Sequence, residues 1–157
     1  MTAIFVGSFD PFTIAHQSLV MRVLPIFSKI VIGVGVNVNK KTMFSVQERV
    51  SQIQAVFADN SKVKVESYDG LTIDFAKKHQ AQYIVRGVRS VIDFEYERTI
   101  ADANRAMSGI ETIFLFSEPE NAYISSSLVR EIYFFKSSNV SIRFFTCHFQ
   151  SNHCSSD

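Results

Sequence analysis

The sequence lacks the features of a secreted or membrane-spanning protein. Its only two cysteines, Cys147 and Cys154, lie near its end, so we do not expect the disulfide framework of a small secreted domain. No apolar run approaches the roughly 20 residues that a transmembrane helix needs. The first residues also show no basic segment followed by an apolar stretch and a small-residue cleavage site. These absences predict a cytoplasmic protein with no membrane partner.

A strong excess of one charge is also missing. The chain has 16 Lys and Arg residues against 15 Asp and Glu residues, a formal net charge of +1. A protein with so little net charge has no extended field to attract nucleic acid, and we expect no nucleic-acid partner. Selectivity for an anion must therefore come from a few local groups.

Several familiar catalytic motifs do not occur. There is no G-x-x-x-x-G-K-[ST] loop and no G-x-G-x-x-G fingerprint, which argues against a P-loop kinase or a dehydrogenase. No Ser-His-Asp or Cys-His pairing is evident. The C-H-x4-H-C stretch at residues 147–154 offers zinc-ligand types without a familiar zinc spacing, so we interpret it as a polar tail, and we assign no residue of the sequence as a metal ligand. Phosphoryl chemistry, which depends on positioning and charge neutralisation, remains open.

The 157 residues, 46% of them hydrophobic, have the size and composition of one globular domain. Short β-branched runs alternate with stretches of helical period, which is typical of βαβ units. The predicted strands are residues 2–6, 29–36, 63–68, 83–86 and 111–116, and the predicted helices are residues 13–27, 45–57, 71–79, 93–108 and 125–135. This order predicts an α/β fold with a doubly wound, five-stranded parallel sheet of Rossmann-like type.

Individual residues define some helix ends. Ser45 and Glu48 form a predicted capping box, Pro25 should distort the last turn of the first helix, and Gly109 is a candidate C-cap. We expect one domain over residues 1–135. Residues 136–157 form an atypical tail with neither helical nor strand period, which we expect to be poorly ordered or to pack irregularly.

The chemically interesting residues follow the carboxyl ends of the predicted strands, where open parallel sheets bind ligands. After the first strand, Gly7 permits close approach of a ligand and Ser8 offers an N–H and a hydroxyl to a phosphate. Thr13 is a natural N-cap, which puts His16 on the first turn of the helix, where it could donate to a phosphoryl oxygen. The alternative is that His16 is a surface imidazole with no task.

Cationic and hydroxyl side chains follow the other strands. Lys40 and Lys41 alone would be a solvated pair. Arg86 and Arg89 flank Gly87 at a strand end and suit a phosphate, or else form salt bridges with Asp93, Glu95 or Glu97. The triple serine 125–127 at a helix start resembles an anion cradle whose hydroxyls point together, although a simple N-cap would account for one of the three.

Two motifs, G-S-F-D-P-F-T-I-A-H at residues 7–16 and I-S-S-S-L-V-R at residues 124–130, resemble the paired signatures of the nucleotidyltransferase superfamily with T/H-x-G-H and ISSTxxR motifs. Within it, N-K-K-T-M-F at residues 39–44, I-V-R-G-V-R-S-V-I-D-F-E-Y-E at residues 84–97 and the following N-R are similar to bacterial phosphopantetheine adenylyltransferases. The resemblance covers residues 2 to about 133.

The resemblance implies an activity and roles for particular residues. The activity is conversion of ATP and 4'-phosphopantetheine to dephospho-coenzyme A and pyrophosphate, by direct in-line transfer, in coenzyme A biosynthesis. His16 and Lys40 would be catalytic. The implied ATP site is Ser8, Phe9, His16, Gly87, Val88, Arg89, Glu97, Asn121, Ala122, Tyr123, Ile124, Ser125, Ser126 and Ser127. The implied phosphopantetheine site is Ser8, Lys40, Thr72 and Arg86.

The family also implies Mg²⁺ as cofactor, a homohexamer, and coenzyme A as a feedback ligand. Two features depart from its pattern. Ala15 replaces the glycine that precedes the motif histidine, which would crowd a base packed against it, and the tail lacks the family's regular helical end. Two rival functions remain open: another member of the superfamily, such as a nicotinamide mononucleotide adenylyltransferase or a cytidylyltransferase, and a nucleotide-binding protein without catalysis.

Overall fold

The computed structural model describes residues 1–36 and 41–135. Five strands alternate with five α-helices. The strands are β1 (Thr2–Gly7), β2 (Lys29–Gly35), β3 (Val63–Tyr68), β4 (Tyr83–Val88) and β5 (Glu111–Phe116). The helices are α1 (Ile14–Val23), α2 (Val46–Val56), α3 (Thr72–Lys78), α4 (Val91–Ser108) and α5 (Ser126–Phe134), with a short 3₁₀ turn at Pro119–Asn121.

All strand pairs are parallel, and the sheet order is β3-β2-β1-β4-β5. The order therefore reverses between β1 and β4, which is the switch point where such sheets form a crevice. Alternate residues of β1 point to opposite faces, so Phe5 joins a core cluster with α1 and α2, and Ile4 joins a second cluster with Phe75 of α3. The predicted doubly wound parallel sheet is confirmed.

Most predicted elements are present, with differences at their ends. The Ser45–Glu48 capping box is formed in both directions, and Gly109 is the C-cap of α4 in the left-handed region at φ 73°. The first helix ends at Val23, four residues earlier than predicted, so Pro25 follows the helix instead of distorting its last turn.

Two further boundaries were wrong in ways that affect the site. Strand β4 continues to Val88 instead of ending at Arg86, so Gly87 and Val88 belong to the strand and the loop begins at Arg89. Helix α4 starts at Val91, two residues earlier than predicted, because the Ser90 hydroxyl accepts a hydrogen bond from the Asp93 amide and caps the helix.

The predicted irregular tail at residues 136–157, with its cysteines and histidines, lies outside the described residues, and so does Lys40. In the two described ranges, no helix is long and apolar enough to cross a lipid bilayer.

Candidate active site

Two clefts open at the carboxyl edge of the sheet, beside the switch point between β1 and β4. The first has a volume of about 310 Å³ and lies between the start of α1, the end of β4 and the start of α5. The second has a volume of about 450 Å³ and lies over the ends of β1, β2 and β3, against α4. Residues shared by both clefts are Val6, Gly7, Ser8, Arg86, Tyr96 and Glu97. The clefts therefore adjoin along a common wall.

The backbone at the end of β1 lies close to the ring of Phe9 in the following loop. A Cβ atom at Gly7 would stand 2.9 Å from the ring of Phe9, a distance that real Cβ contacts essentially never show. Phe9 itself has a positive φ of 46° and a buried ring, although it is not a glycine. Such strained backbone costs of order 1–3 kcal/mol and persists only when surrounding contacts determine it. The loop after β1 is therefore held tightly where it lines the first cleft.

His16 lies on the first turn of α1, as predicted, and its ring is fixed on several sides. Its Nδ1 accepts a hydrogen bond from the backbone N–H of Thr13 at 3.0 Å. The ring stacks on Phe12 and meets the Phe9 ring edge to face, with centroids 5.3 and 5.2 Å apart. Because a backbone N–H can only donate, Nδ1 must be the acceptor, and in the neutral imidazole the proton is on Nε2.

The electrostatic surroundings of His16 favour the neutral ring. Burial is the largest of three causes that together lower the pKa of His16 from 6.5 to about 4, and the guanidinium groups of Arg89 and Arg86 are the other two. At neutral pH the side chain is an uncharged donor through Nε2–H. It can therefore donate a hydrogen bond to a phosphoryl oxygen without carrying a charge and without transferring a proton.

The two arginines at the end of β4 each have a carboxylate partner. Arg86 donates from Nε and from Nη2 to the two carboxylate oxygens of Glu97, and from Nη1 to the carbonyl of Val6. Arg89 donates from Nε to Asp93 at 3.0 Å. The structure thus contains the salt bridges that the sequence offered as the alternative to phosphate binding. Since a guanidinium has five N–H donors, Arg86 keeps two for a ligand in the shared wall.

The three serines at the start of α5 line the first cleft, but their hydroxyls do not converge. Ser125 accepts from the amide of Leu128 and is the N-cap. Ser126 donates to the carbonyl of Pro11 at 2.9 Å, and Ser127 accepts from Arg130 at 3.0 Å. The prediction that the hydroxyls point together is wrong, because each hydroxyl forms a hydrogen bond with a different group. The helix N-terminus still presents its first backbone amides at the cleft, where they favour an anion.

The structure collects most of the predicted site residues and leaves some out. The first cleft contains Ser8, Phe9, His16, Arg86, Gly87, Arg89, Glu97, Ile124, Ser125, Ser126 and Ser127, and the second contains Ser8, Thr72, Arg86 and Glu97. Val88 is fully buried in β4, and Asn121, Ala122 and Tyr123 lie outside both clefts. Lys40, which the sequence assigned to catalysis, is outside the described residues.

Some residues of the clefts were not singled out from the sequence. Arg130 lines the first cleft, Tyr96 lies in the shared wall, and Tyr68 and Asn104 line the second cleft. Arg130 ends the I-S-S-S-L-V-R motif one helical turn after Ser126, so helical spacing could have identified it. No local signal marks Tyr68. Asn104 belongs to the N-R of the family resemblance but was given no role, and the fold places both residues in the second cleft, where α4 packs against β4, β5 and α3.

Within residues 1–36 and 41–135, no group of three or more His, Cys, Asp and Glu side chains is placed to bind a metal ion. A divalent cation in this site would need ligands from elsewhere. Mg²⁺ commonly takes one or two carboxylates and completes its shell with substrate phosphates and water. Asp93 and Glu97, the carboxylates that line the first cleft, are paired with Arg89 and Arg86, so the described residues do not form an all-protein metal cage.

Comparison with known proteins agrees with the geometry. The cytidylyltransferase-like family matches residues 4–132. A phosphopantetheine adenylyltransferase of Phocaeicola vulgatus is 59% identical over 130 residues, which are 83% of this chain and 86% of that protein. One of Bacteroides fragilis is 57% identical over 83% of this chain and 87% of that protein.

A solved structure shows the same fold at low identity. A bifunctional NMN adenylyltransferase/ADP ribose pyrophosphatase of Francisella tularensis aligns with a TM-score of 0.71 and 16% identity, covering 94% of this chain and 45% of that longer one. At this identity the likeness concerns the fold alone.

Proposed function

The chain belongs to the cytidylyltransferase-like family and, within it, to the phosphopantetheine adenylyltransferases, which are nucleotidyltransferase enzymes, and on that premise we propose its substrates and mechanism. It transfers the adenylyl group of ATP to 4'-phosphopantetheine, in coenzyme A biosynthesis, and releases pyrophosphate. The observation that supports this most is the pair of adjoining clefts that share Arg86 in their common wall, since a two-substrate transfer needs two sites that meet at the reacting phosphates.

ATP occupies the first cleft in this proposal. Its phosphates meet groups suited to anions: the amides at the start of α5, Arg89, and the backbone and hydroxyl of Ser8. His16 borders the same cleft and presents a neutral donor. The phosphate-binding groups are thereby gathered around the position where the α-phosphorus must sit.

Phosphopantetheine occupies the second cleft. This cleft combines an apolar side, with Ile84 and Ile100, and hydrogen-bonding groups on Tyr68, Thr72 and Asn104. An acceptor with a long arm of amide and methylene groups needs both kinds of surface. Its phosphate end points towards Arg86, which the two clefts share.

The transfer is a direct in-line displacement. An oxygen of the acceptor phosphate attacks the α-phosphorus of ATP, a P–O bond forms, and the bond to the β-phosphate breaks with release of pyrophosphate. No proton has to move and no covalent enzyme intermediate forms. His16, Arg89 and the start of α5 stabilise the charge that grows on the transferring and leaving phosphates. Lys40 bridges the acceptor phosphate and the α-phosphate, a role that the N-K-K-T-M-F motif supports from the sequence alone.

Mg²⁺ accompanies ATP in this proposal, carried mainly by the nucleotide phosphates, and supplies further charge neutralisation when bound. Coenzyme A, which contains the acceptor's pantetheine arm, is a feedback ligand of the second cleft.

A homohexamer is the proposed assembly, and an apolar stripe on α4 supports association of chains. Ile92, Tyr96, Ile100 and Met107 recur at spacings of four, four and seven residues, which places them on one helix face. Ile92 is 83% exposed and Met107 is 55% exposed in the single chain. Such a stripe is typical of a face that is covered in an assembly. Light scattering of the purified protein measures the oligomeric state.

A pyrophosphate-release assay with ATP and 4'-phosphopantetheine tests the proposed reaction. Parallel reactions with nicotinamide mononucleotide as acceptor, and with CTP as nucleotide, separate it from the other superfamily activities. Turnover only with ATP and phosphopantetheine is the expected result. Binding of ATP without release of pyrophosphate from any acceptor would support the rival, a nucleotide-binding protein without catalysis.

A further inference from the structure

Two side chains of opposite charge are buried next to the proposed site without touching either cleft. Asp10, in the loop after β1, is 1% exposed, and Arg49, in α2, is 2% exposed. Neither belongs to the lining of the clefts. Burying a charge carries a desolvation penalty of several kcal/mol, and apolar residues of similar volume often fill such positions at least as stably. Their presence suggests a task other than filling the core.

Arg49 donates its hydrogen bonds to backbone carbonyls at the edge of the sheet where the clefts open. Its Nη1 donates to the carbonyl of Ser8, just after β1, and makes a longer contact of 3.5 Å to the carbonyl of Gly35, the last residue of β2. Its Nε reaches the carbonyl of Ser45, at the start of its own helix, at 3.4 Å. One guanidinium thus connects the ends of two neighbouring strands to α2.

Asp10 makes the complementary connection through its carboxylate. The two oxygens accept from the amides of Met43 and Phe44 at 2.8 and 2.9 Å. The loop after β1 is thereby fastened to the segment that follows β2. Arg130, which lines the first cleft, donates to the backbone carbonyl of Asp10 from the other side. Burial lowers the pKa of Arg49, while the nearby Asp10 carboxylate raises it and so favours the charged guanidinium.

We propose that Arg49 is a positioning residue for adenylyl transfer, which acts with Asp10 as a clamp that fixes Ser8 and the loop after β1 against the segment after β2. We call these two side chains the Arg49–Asp10 clamp. The inference rests on the proposed function of the same site, because Ser8 lies in the wall shared by the two substrates. A displacement of about 1 Å in such a wall can reduce turnover about 100-fold, although the clamp touches neither substrate.

The competing explanation is that Arg49 only stabilises the fold. Ile53 allows the two explanations to be separated, because it lies one turn further along α2, is fully buried in the core, and has no polar side-chain atom that could hydrogen-bond to the loops. A change at Ile53 should reduce stability and leave the site geometry intact. A substitution at Arg49 should alter the site geometry, whether or not it also reduces stability.

The test compares Arg49→Lys, which keeps the positive charge but loses the forked N–H donors of the guanidinium, with Ile53→Val and wild type. Melting temperature, ATP affinity, kcat and KM for both substrates are measured for each protein. We expect Arg49→Lys to lower kcat about 10- to 100-fold, with ATP affinity changed less than fivefold. Ile53→Val should keep wild-type kcat despite a comparable or larger fall in melting temperature. Asp10→Asn, which replaces one acceptor oxygen by an amide NH₂, should reproduce the kcat loss.

Each outcome decides the matter. Wild-type kcat in a folded Arg49→Lys variant would overturn the proposal, as would an equal kcat loss in Ile53→Val. If Arg49→Lys does not fold, Asp10→Asn carries the same comparison, and failure of both to fold would show a purely structural role. A wild-type protein that releases no pyrophosphate would instead contradict the proposed function, so the two failures are distinguishable.

Discussion

Single side chains decide how charge is stabilised in the first cleft, and His16 is the most informative of them. Its Nδ1 is committed to the Thr13 amide, so the Nε2 proton is the one available to a ligand. The charge on a transferring phosphoryl oxygen grows as the reaction proceeds. A donor placed for that charge contributes more to the transition state than to ATP binding.

We therefore expect His16→Ala to reduce turnover about 10²- to 10³-fold, or roughly 3–4 kcal/mol, while ATP affinity changes little. Steady-state kinetics and calorimetric titration with ATP measure the two effects. Gln17→Ala, on the same turn but outside the clefts, is the matched control and should behave as wild type. Equal losses of turnover and of affinity would make His16 a binding residue instead.

The lowered pKa of His16 has a consequence for stability. The folded protein holds the ring with a pKa of about 4, whereas an unfolded chain has the ordinary value of 6.5. Between these values the unfolded state binds more protons, so the contribution of His16 is fully present above pH 6.5 and is lost as pH falls towards 4. The loss amounts to about 3 kcal/mol at most.

Urea unfolding of wild type and His16→Asn at pH 7 and pH 5 should show this pH-dependent loss of stability. The difference in unfolding free energy between the two proteins should shrink at the lower pH. All other titrating groups are common to both proteins. A pH-independent difference would contradict the lowered pKa.

Ala15 offers a test of how closely a nucleotide packs against α1. Its methyl group lines the first cleft, where the resemblance places a glycine. We expect Ala15→Gly to lower the KM for ATP by giving the base more room, although glycine in a helix costs about 1 kcal/mol of stability. Ala15→Ser, which adds an oxygen atom, should raise the same KM. An unchanged KM in both variants would mean that no part of the nucleotide meets this position.

Helices and strands show how far the sequence predicts the structure. Periodicity identified the five strands and five helices because apolar residues recur along them at strand or helix spacing. Their order identified the switch point. The errors in element boundaries lie where a single hydrogen bond determines the end of an element. The Ser90 hydroxyl caps α4 in this way, and no hydrophobic period in the sequence marks that position.

The candidate site was predictable where motifs carry it and less so elsewhere. Ser8, His16 and the start of α5 follow strand ends and come together as expected. The Arg86–Glu97 pair was foreseen only as an alternative, because the sequence does not say which carboxylate of α4 faces β4. The Arg49–Asp10 clamp was not foreseen, since its bonds go to backbone carbonyls and amides that carry no sequence signature.

The C-cap of α4 gives a prediction about one element. Gly109 has φ 73°, and a Cβ atom there would meet nothing within 4 Å. Gly109→Ala therefore has only a conformational cost, about 1–2 kcal/mol for an L-residue in the left-handed region. Thermal unfolding should show a melting temperature lower by several degrees, with unchanged kcat. A stability equal to that of wild type would show that the end of α4 unwinds at no cost.

The molecule as a whole must recognise two phosphorylated substrates with almost no net charge. Recognition of the phosphates therefore depends on local groups such as Arg86, which lines both clefts and retains two N–H donors. A substrate without the phosphate leaves these N–H donors unpaired, and a site with unpaired donors discriminates strongly against such a substrate. Dephosphorylated pantetheine should therefore be a very poor acceptor, by a factor of 10⁴ or so in kcat/KM. Comparable turnover of pantetheine and phosphopantetheine would contradict the assignment of the acceptor.

The described residues also predict which part of the chain is needed for folding. Their buried apolar side chains run from Ala3 to Val129, and the two core clusters together include residues of the five strands and of α1, α2 and α3. The clefts are lined by residues up to Arg130. Deletion of the residues beyond 140 should therefore leave a soluble protein with the same circular dichroism and a melting temperature within a few degrees of the full chain. Turnover measured on the same preparation should persist. Loss of soluble expression, or a large fall in melting temperature, would show instead that the tail contributes to the core.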